Sequence, residues 1–154
     1  MKSSFSLKYT VLNGGWAVFE IGNMEKTLIL NVSFFHDSLK ELALSAIVLR
    51  SKDETSVVFM DEPGEHRLVL KRNGTSILYE LRWYKDWASW NLLTEDHFET
   101  ILSGTTTLPK YINLVRENLI RIRNEEGIEG YKKKWSKHDF PLNEYELLKG
   151  DHFC

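Results

Sequence analysis

The side chains best placed for chemistry gather around one turn. Asp61, Glu62 and Glu65 flank Pro63-Gly64, and His66 and Arg67 follow directly. Neighbouring carboxylates serve as general acid and base when their surroundings drive their pKa values apart. On a turn, solvated carboxylates are also commonplace and need no such role. His66 differs, because alternation places it on the apolar side of its strand. A core-face imidazole is more often held by a hydrogen bond than used in catalysis. The alternative to a protein-binding surface is a small-ligand or enzymatic pocket, and its place would be at His66, Glu62 and Arg67.

Other reactive arrangements are missing from the sequence. The remaining histidines, His36, His97, His138 and His152, are not paired at metal-ligand spacing, and the one cysteine is Cys154. Neither a metal nor a cofactor is expected from this pattern. The sequence holds no G-x-S-x-G, and no cysteine in a histidine-bearing context. Asn13-Gly14-Gly15 lacks the lysine-serine ending of a phosphate-binding loop. Lys132-Lys133-Lys134 lies between Tyr131 and Trp135, but 22 acidic residues against 20 lysines and arginines give no basic surplus. The run reads as a solvated helix face, and nucleic acid is not the expected partner.

Trp83, Tyr84, Trp87 and Trp90 fall within eight residues. Trp83 alternates with Leu81 and is expected in the core. Trp87 and Trp90 sit in a loop, where they either form a lid on the core or anchor a partner. Asp86, Glu95 and Asp96 lie around them. The expected contact set for a protein partner is Trp87, Trp90, Asp86, Glu95 and Asp96.

Hairpins and helices must position these residues. Phe5, Leu7, Tyr9 and Val11 alternate with polar residues, Asn13-Gly14-Gly15 turns the chain, and Trp16 to Ile21 returns. A three-residue loop pairs Leu12 with Trp16, Tyr9 with Phe19, Leu7 with Ile21 and Lys8 with Glu20, which keeps the apolar residues on one face. A third strand covers about Lys26 to Ser33. Ser38 to Glu41 reads as a capping box before a helix over Leu39 to Leu49. A short strand near Ser56 to Met60 precedes a hairpin of Leu68 to Arg72 and Thr75 to Tyr84 around Asn73-Gly74. The expected register sets Leu70 opposite Ile77, Leu68 opposite Tyr79, His66 opposite Leu81, Arg67 opposite Glu80 and Glu65 opposite Arg82. After the loop comes a strand over His97 to Ser103. Thr107 then caps a helix that ends at Gly127, and short helices follow near Glu129 to Trp135 and Leu142 to Lys149.

The predicted class is α+β: about six antiparallel strands in a meander, one helix after strand three, and a helical C-terminal third. The 154 residues suit a single domain, 1–154. The first twelve residues hold no continuous apolar run and no segment is long enough to span a bilayer, so the expected compartment is the cytoplasm, with no membrane contact.

The strings Glu62-Pro63-Gly64-Glu65-His66-Arg67, Arg82-Trp83-Tyr84 and Gly130-Tyr131 through Trp135, His138, Phe140 and Pro141 resemble a family of small uncharacterised bacterial proteins. Its members carry E-P-G-E-x-R, a tryptophan-aromatic strand and G-Y-x-x-x-W-x-x-H-x-F-P. The resemblance covers most of the chain and implies no particular activity. Read physically, Tyr131, Trp135, Phe140 and Pro141 form a hydrophobic clasp that locks the C-terminal helices onto the sheet. In size and style the chain is also similar to immunity proteins that neutralise bacterial toxins, a likeness of analogy alone. The expected function is that of a non-enzymatic protein-binding module, with a toxin domain as its partner.

Overall fold

Glycines at positive φ set the first hairpin. Gly14 and Gly15 take φ of 74° and 81°, a region that side chains with a Cβ rarely enter. The resulting loop joins β1 (Ser6–Val11) to β2 (Trp16–Gly22). Leu7 faces Ile21, Lys8 faces Glu20 and Tyr9 faces Phe19. The Leu12 N–H donates to the Trp16 carbonyl at 2.9 Å. This is the register that the buried face demands. Asn23 closes the next turn by accepting the Glu25 and Lys26 N–H groups, and β3 (Thr27–Ser33) completes a three-stranded antiparallel sheet. The computed structural model describes residues 5–23, 25–33, 36–61, 64–86, 97–135 and 138–149.

Helix α1 (Ser38–Val48) follows, then β4 (Glu54–Met60), β5 (Glu65–Asn73), β6 (Ser76–Tyr84) and β7 (Glu99–Thr107) in a second, four-stranded antiparallel sheet. The α+β class is as expected, but the single meander of about six strands is replaced by two sheets. The reason lies in the first turn of α1. Asp37 holds the N-cap position, and Ser38 and Glu41 do not form the expected capping box. The Ser38 hydroxyl instead donates to the Val58 carbonyl at 2.7 Å, and the Glu41 carboxylate accepts the Val58 N–H. These are the backbone groups that a neighbouring strand would otherwise take. Side chains of α1 thus partner Val58 on the edge of β4.

The second hairpin also departs from expectation. Leu68 faces Leu81, His66 faces Trp83 and Arg67 faces Arg82, a shift of two residues. Gly74, at φ 62°, is the first of two loop residues and Thr75 the second, with Asn73 and Ser76 paired outside them. Each glutamate meets an arginine of its own strand, Glu65 with Arg67 at 3.2 Å and Glu80 with Arg82 at 2.8 Å. A two-residue slip keeps every side chain on its face, so burial cannot choose between the registers.

Helix α2 (Leu108–Trp135) is capped as expected, with the Thr107 hydroxyl accepting the Lys110 N–H. Gly127 interrupts it at φ 71°, ψ 171°. Its apolar stripe, Tyr111, Ile112, Val115, Leu119 and Ile122, is buried, and so is Asn118. Asn118 accepts the Tyr9 N–H at 2.8 Å and donates to the Leu7 carbonyl at 3.1 Å. Arg121 donates to the Tyr9 carbonyl. The free edge of β1 is therefore sealed by α2, much as that of β4 is sealed by α1. The apolar faces of both sheets meet in one core, where Phe19 stacks on Phe59 at 4.3 Å and Phe5 lies tilted against Tyr79 at 4.6 Å. Tyr131, Trp135 and Phe140 join that core, Tyr131 meeting Phe140 edge-on at 5.6 Å. Helix α3 (Leu142–Lys149) packs beside them, with Tyr145 edge-on to Phe140 at 5.7 Å. Among the described residues no helix is long and apolar enough to cross a membrane.

Replacing Asn118 by alanine leaves a buried N–H and a buried carbonyl without their partner. At about 1–3 kcal/mol for each such group, N118A should lower stability by about 2–6 kcal/mol, read from the urea midpoint at unchanged m-value.

Candidate functional site

A charged concavity lies where α1 begins and the segment leading into α3 returns. It is a cleft of about 530 Å³ lined by Asp37, Lys40, His138, Asp139, Asn143 and Glu144, with Ile128, Phe140, Pro141 and Leu142 as its apolar wall. Ile128 and Leu142 are each 38% exposed, so the wall is accessible. Three carboxylates thus stand against Lys40 and His138.

Asp37 is the pivot of this cleft. Its Oδ2 lies 3.7 Å from His138 Nδ1, and its Oδ1 is buried without a hydrogen-bond partner among the described residues. Burial raises the Asp37 pKa, while His138, the Lys40 N–H and charge, and His36 pull it down less strongly. Tyr9 and Tyr131 lie close enough to feel it. Burial, then Tyr131, then the Asp37 charge push the Tyr9 phenol well up, and burial followed by Asp37 does the same to Tyr131. Both phenol oxygens and the Trp135 indole N–H are buried and unpartnered among the described residues. The Trp135 ring lies 6.3 Å from Tyr9 and 6.5 Å from Tyr131. Beside this group, His36 Nε2 meets Glu41 Oε2 at 2.8 Å. Burial alone would lower the His36 pKa. The Glu41 bond and the charges of Glu41, Asp37 and Glu65 outweigh that and raise it.

The sequence-derived candidates fall elsewhere. Trp87, Trp90, Glu95 and Asp96 lie outside the described residues, as does Glu62; Asp86 is partly exposed just beyond the end of β6. His66 and Arg67 do not share a pocket, because adjacent residues of β5 point to opposite faces. Arg67 pairs with Glu65, 5.1 Å from the Tyr84 ring. His66 faces the core between Phe59 and Trp83, 4.7 Å from the half-buried indole. Burial pushes its pKa down to about 4, so it is neutral near pH 7. Of the basic run, Lys132 pairs with Asp139 at 3.2 Å and Lys134 with Glu126 at 2.8 Å. Among the described residues no three His, Cys, Asp or Glu side chains gather as metal ligands.

The Asp37–His138 pair carried no spacing signal, since its members are brought together only by the fold. Asn118 did carry one, as a polar residue inside an apolar helical stripe. Comparison with protein-family models, curated proteins and solved structures finds no match for this chain.

Because the folded pKa of His66 lies below the unfolded 6.5, the unfolded chain binds the extra proton between pH 6.5 and about 4. Stability is fully present above the upper value and declines as pH falls through that window, by about 3 kcal/mol for a shift of this size. His66→Leu should flatten that slope in pH-dependent urea denaturation without loss at neutral pH, since Nδ1 makes no bond to surrender.

Proposed function

We propose that this chain is a non-enzymatic protein-binding module of the immunity type, which occupies and blocks a basic face of a bacterial toxin domain in the cytoplasm. The observation that carries the reading is the open cleft with an accessible apolar wall and three carboxylates, Asp37, Asp139 and Glu144, around it. Apolar centres with charged rims are how transient protein interfaces combine affinity with steering. The rim mixes charges, with Asp139 paired to Lys132 and Asp37 beside His138, and the formal net charge of −2 favours encounter with a basic partner over an acidic one. The tryptophan segment, with Trp87, Trp90, Asp86, Glu95 and Asp96, supplies the proposed aromatic anchors.

The experiment is co-expression with the product of a toxin-like gene adjacent to its own. The expected result is a stoichiometric complex in size-exclusion chromatography and rescue of growth. No complex and no rescue would contradict the reading. Trp87→Ala with Trp90→Ala should weaken the complex about thirtyfold or more at nearly constant melting temperature. A large drop in melting temperature with affinity retained would assign both indoles to the fold.

A further inference from the structure

Two histidine–carboxylate contacts flank the start of α1. His36 Nε2 lies 2.8 Å from Glu41 Oε2, and His138 Nδ1 lies 3.7 Å from Asp37 Oδ2. The first has a further link. Glu41 also accepts the Val58 N–H through Oε1, beside the bond from the Ser38 hydroxyl to the Val58 carbonyl. One carboxylate therefore joins a titratable ring to the edge of β4, and it is the group that fastens α1 there. The His36 and Glu41 side chains are 28% and 31% exposed, so protons reach the pair from solvent, while Val58 behind it is buried.

The charges around His36 favour its protonated form. Glu41 and Asp37 face it from α1 and Glu65 from β5, against the cost of burial. Glu65 is itself paired with Arg67, and Asp37 also feels His138 and Lys40. A protonated imidazole donates to Glu41 as a cation, and a neutral one donates as a weaker, uncharged partner. A histidine whose folded pKa is raised above 6.5 adds its stability in full below that value, and the gain is lost as pH rises through the folded pKa. The sign is opposite to that of His66, whose contribution is lost as pH falls.

We propose that His36 is a proton-sensitive control on the latch between α1 and β4: protonated, it holds the Glu41 carboxylate in place on the Val58 N–H, and neutral, it lets the first turn of α1 open more often. Asp37 and Lys40, at the start of that helix, line the cleft, so the same proton steadies one wall of it. The control is a property of the fold and does not depend on which partner the cleft takes.

The test is amide hydrogen exchange of the full chain at about pH 6 to 8.5, expressed as protection factors so that the base-catalysed rise in intrinsic exchange drops out. Protection of the Val58 amide should fall about fivefold across that range, with the midpoint of the His36 ring titration read from its carbon-bound protons. The Tyr9 amide, which is held by Asn118, should keep its protection. H36Q keeps a donor that does not titrate and should flatten the Val58 profile. E41Q removes the carboxylate charge but leaves an acceptor for Val58, and its profile should be flat as well. A flat profile in the wild-type chain, a fall that persists in H36Q or E41Q, or a fall shared equally by Tyr9 overturns the proposal. H138Q separates the two histidines: a fall that it abolishes while H36Q does not assigns the control to the Asp37 contact, and this also overturns the proposal.

Discussion

Backbone groups at the edge of a sheet need partners, and in this fold side chains from helices provide them. Two interior-facing strand edges, those of β1 and β4, run beside α2 and α1. Asn118 and Arg121 satisfy Leu7 and Tyr9, and Ser38 and Glu41 satisfy Val58. Each helix sits as it does because its polar atoms complete a hydrogen-bond ladder. An edge left bare there would cost its desolvation and invite another strand. Among the described residues the strands form one sheet of three and one of four.

The cleft follows from those two latches. With β1 fixed to α2, Tyr9 lies against Trp135. With α1 fixed to β4, Asp37 is held at the N-cap. Gly127 breaks α2 so that its last turns change direction, and the Gly15 N–H bonds the Lys134 carbonyl at 2.8 Å to tie those turns to the β1–β2 loop. Tyr131, Trp135 and Phe140 then close on one another, and His138 is delivered to Asp37. Residues distant in sequence meet because two sheet edges were each completed by a helix.

How much of this could be read from the residues depends on the range of the interaction. The first hairpin was legible down to its register, since a one-residue slip would scatter Leu7, Tyr9 and Val11 over both faces. The Thr107 cap and the break at Gly127 were legible for similarly local reasons. The second register was not. A shift of two conserves burial, and the arginines found glutamates within their own strands. The capping box at Ser38 and Glu41 has the right local letters, yet the same oxygens are used by Val58, seventeen or more positions away. The split of the sheet was therefore hidden in residues that local rules assign another task. The Asp37–His138 cleft was hidden more deeply, because nothing in the spacing of two ordinary polar residues foretells their contact.

The helix-completed edges are tested most directly by native-state hydrogen exchange at the Tyr9 and Val58 amides. Both point away from their neighbouring strands, toward Asn118 and Glu41. If the helices truly complete the ladders, these two protons exchange as slowly as the interior ladder amides of β1 and β4. Exchange at the rate of a solvent-facing edge, with the ladder amides beside them still protected, would contradict the account.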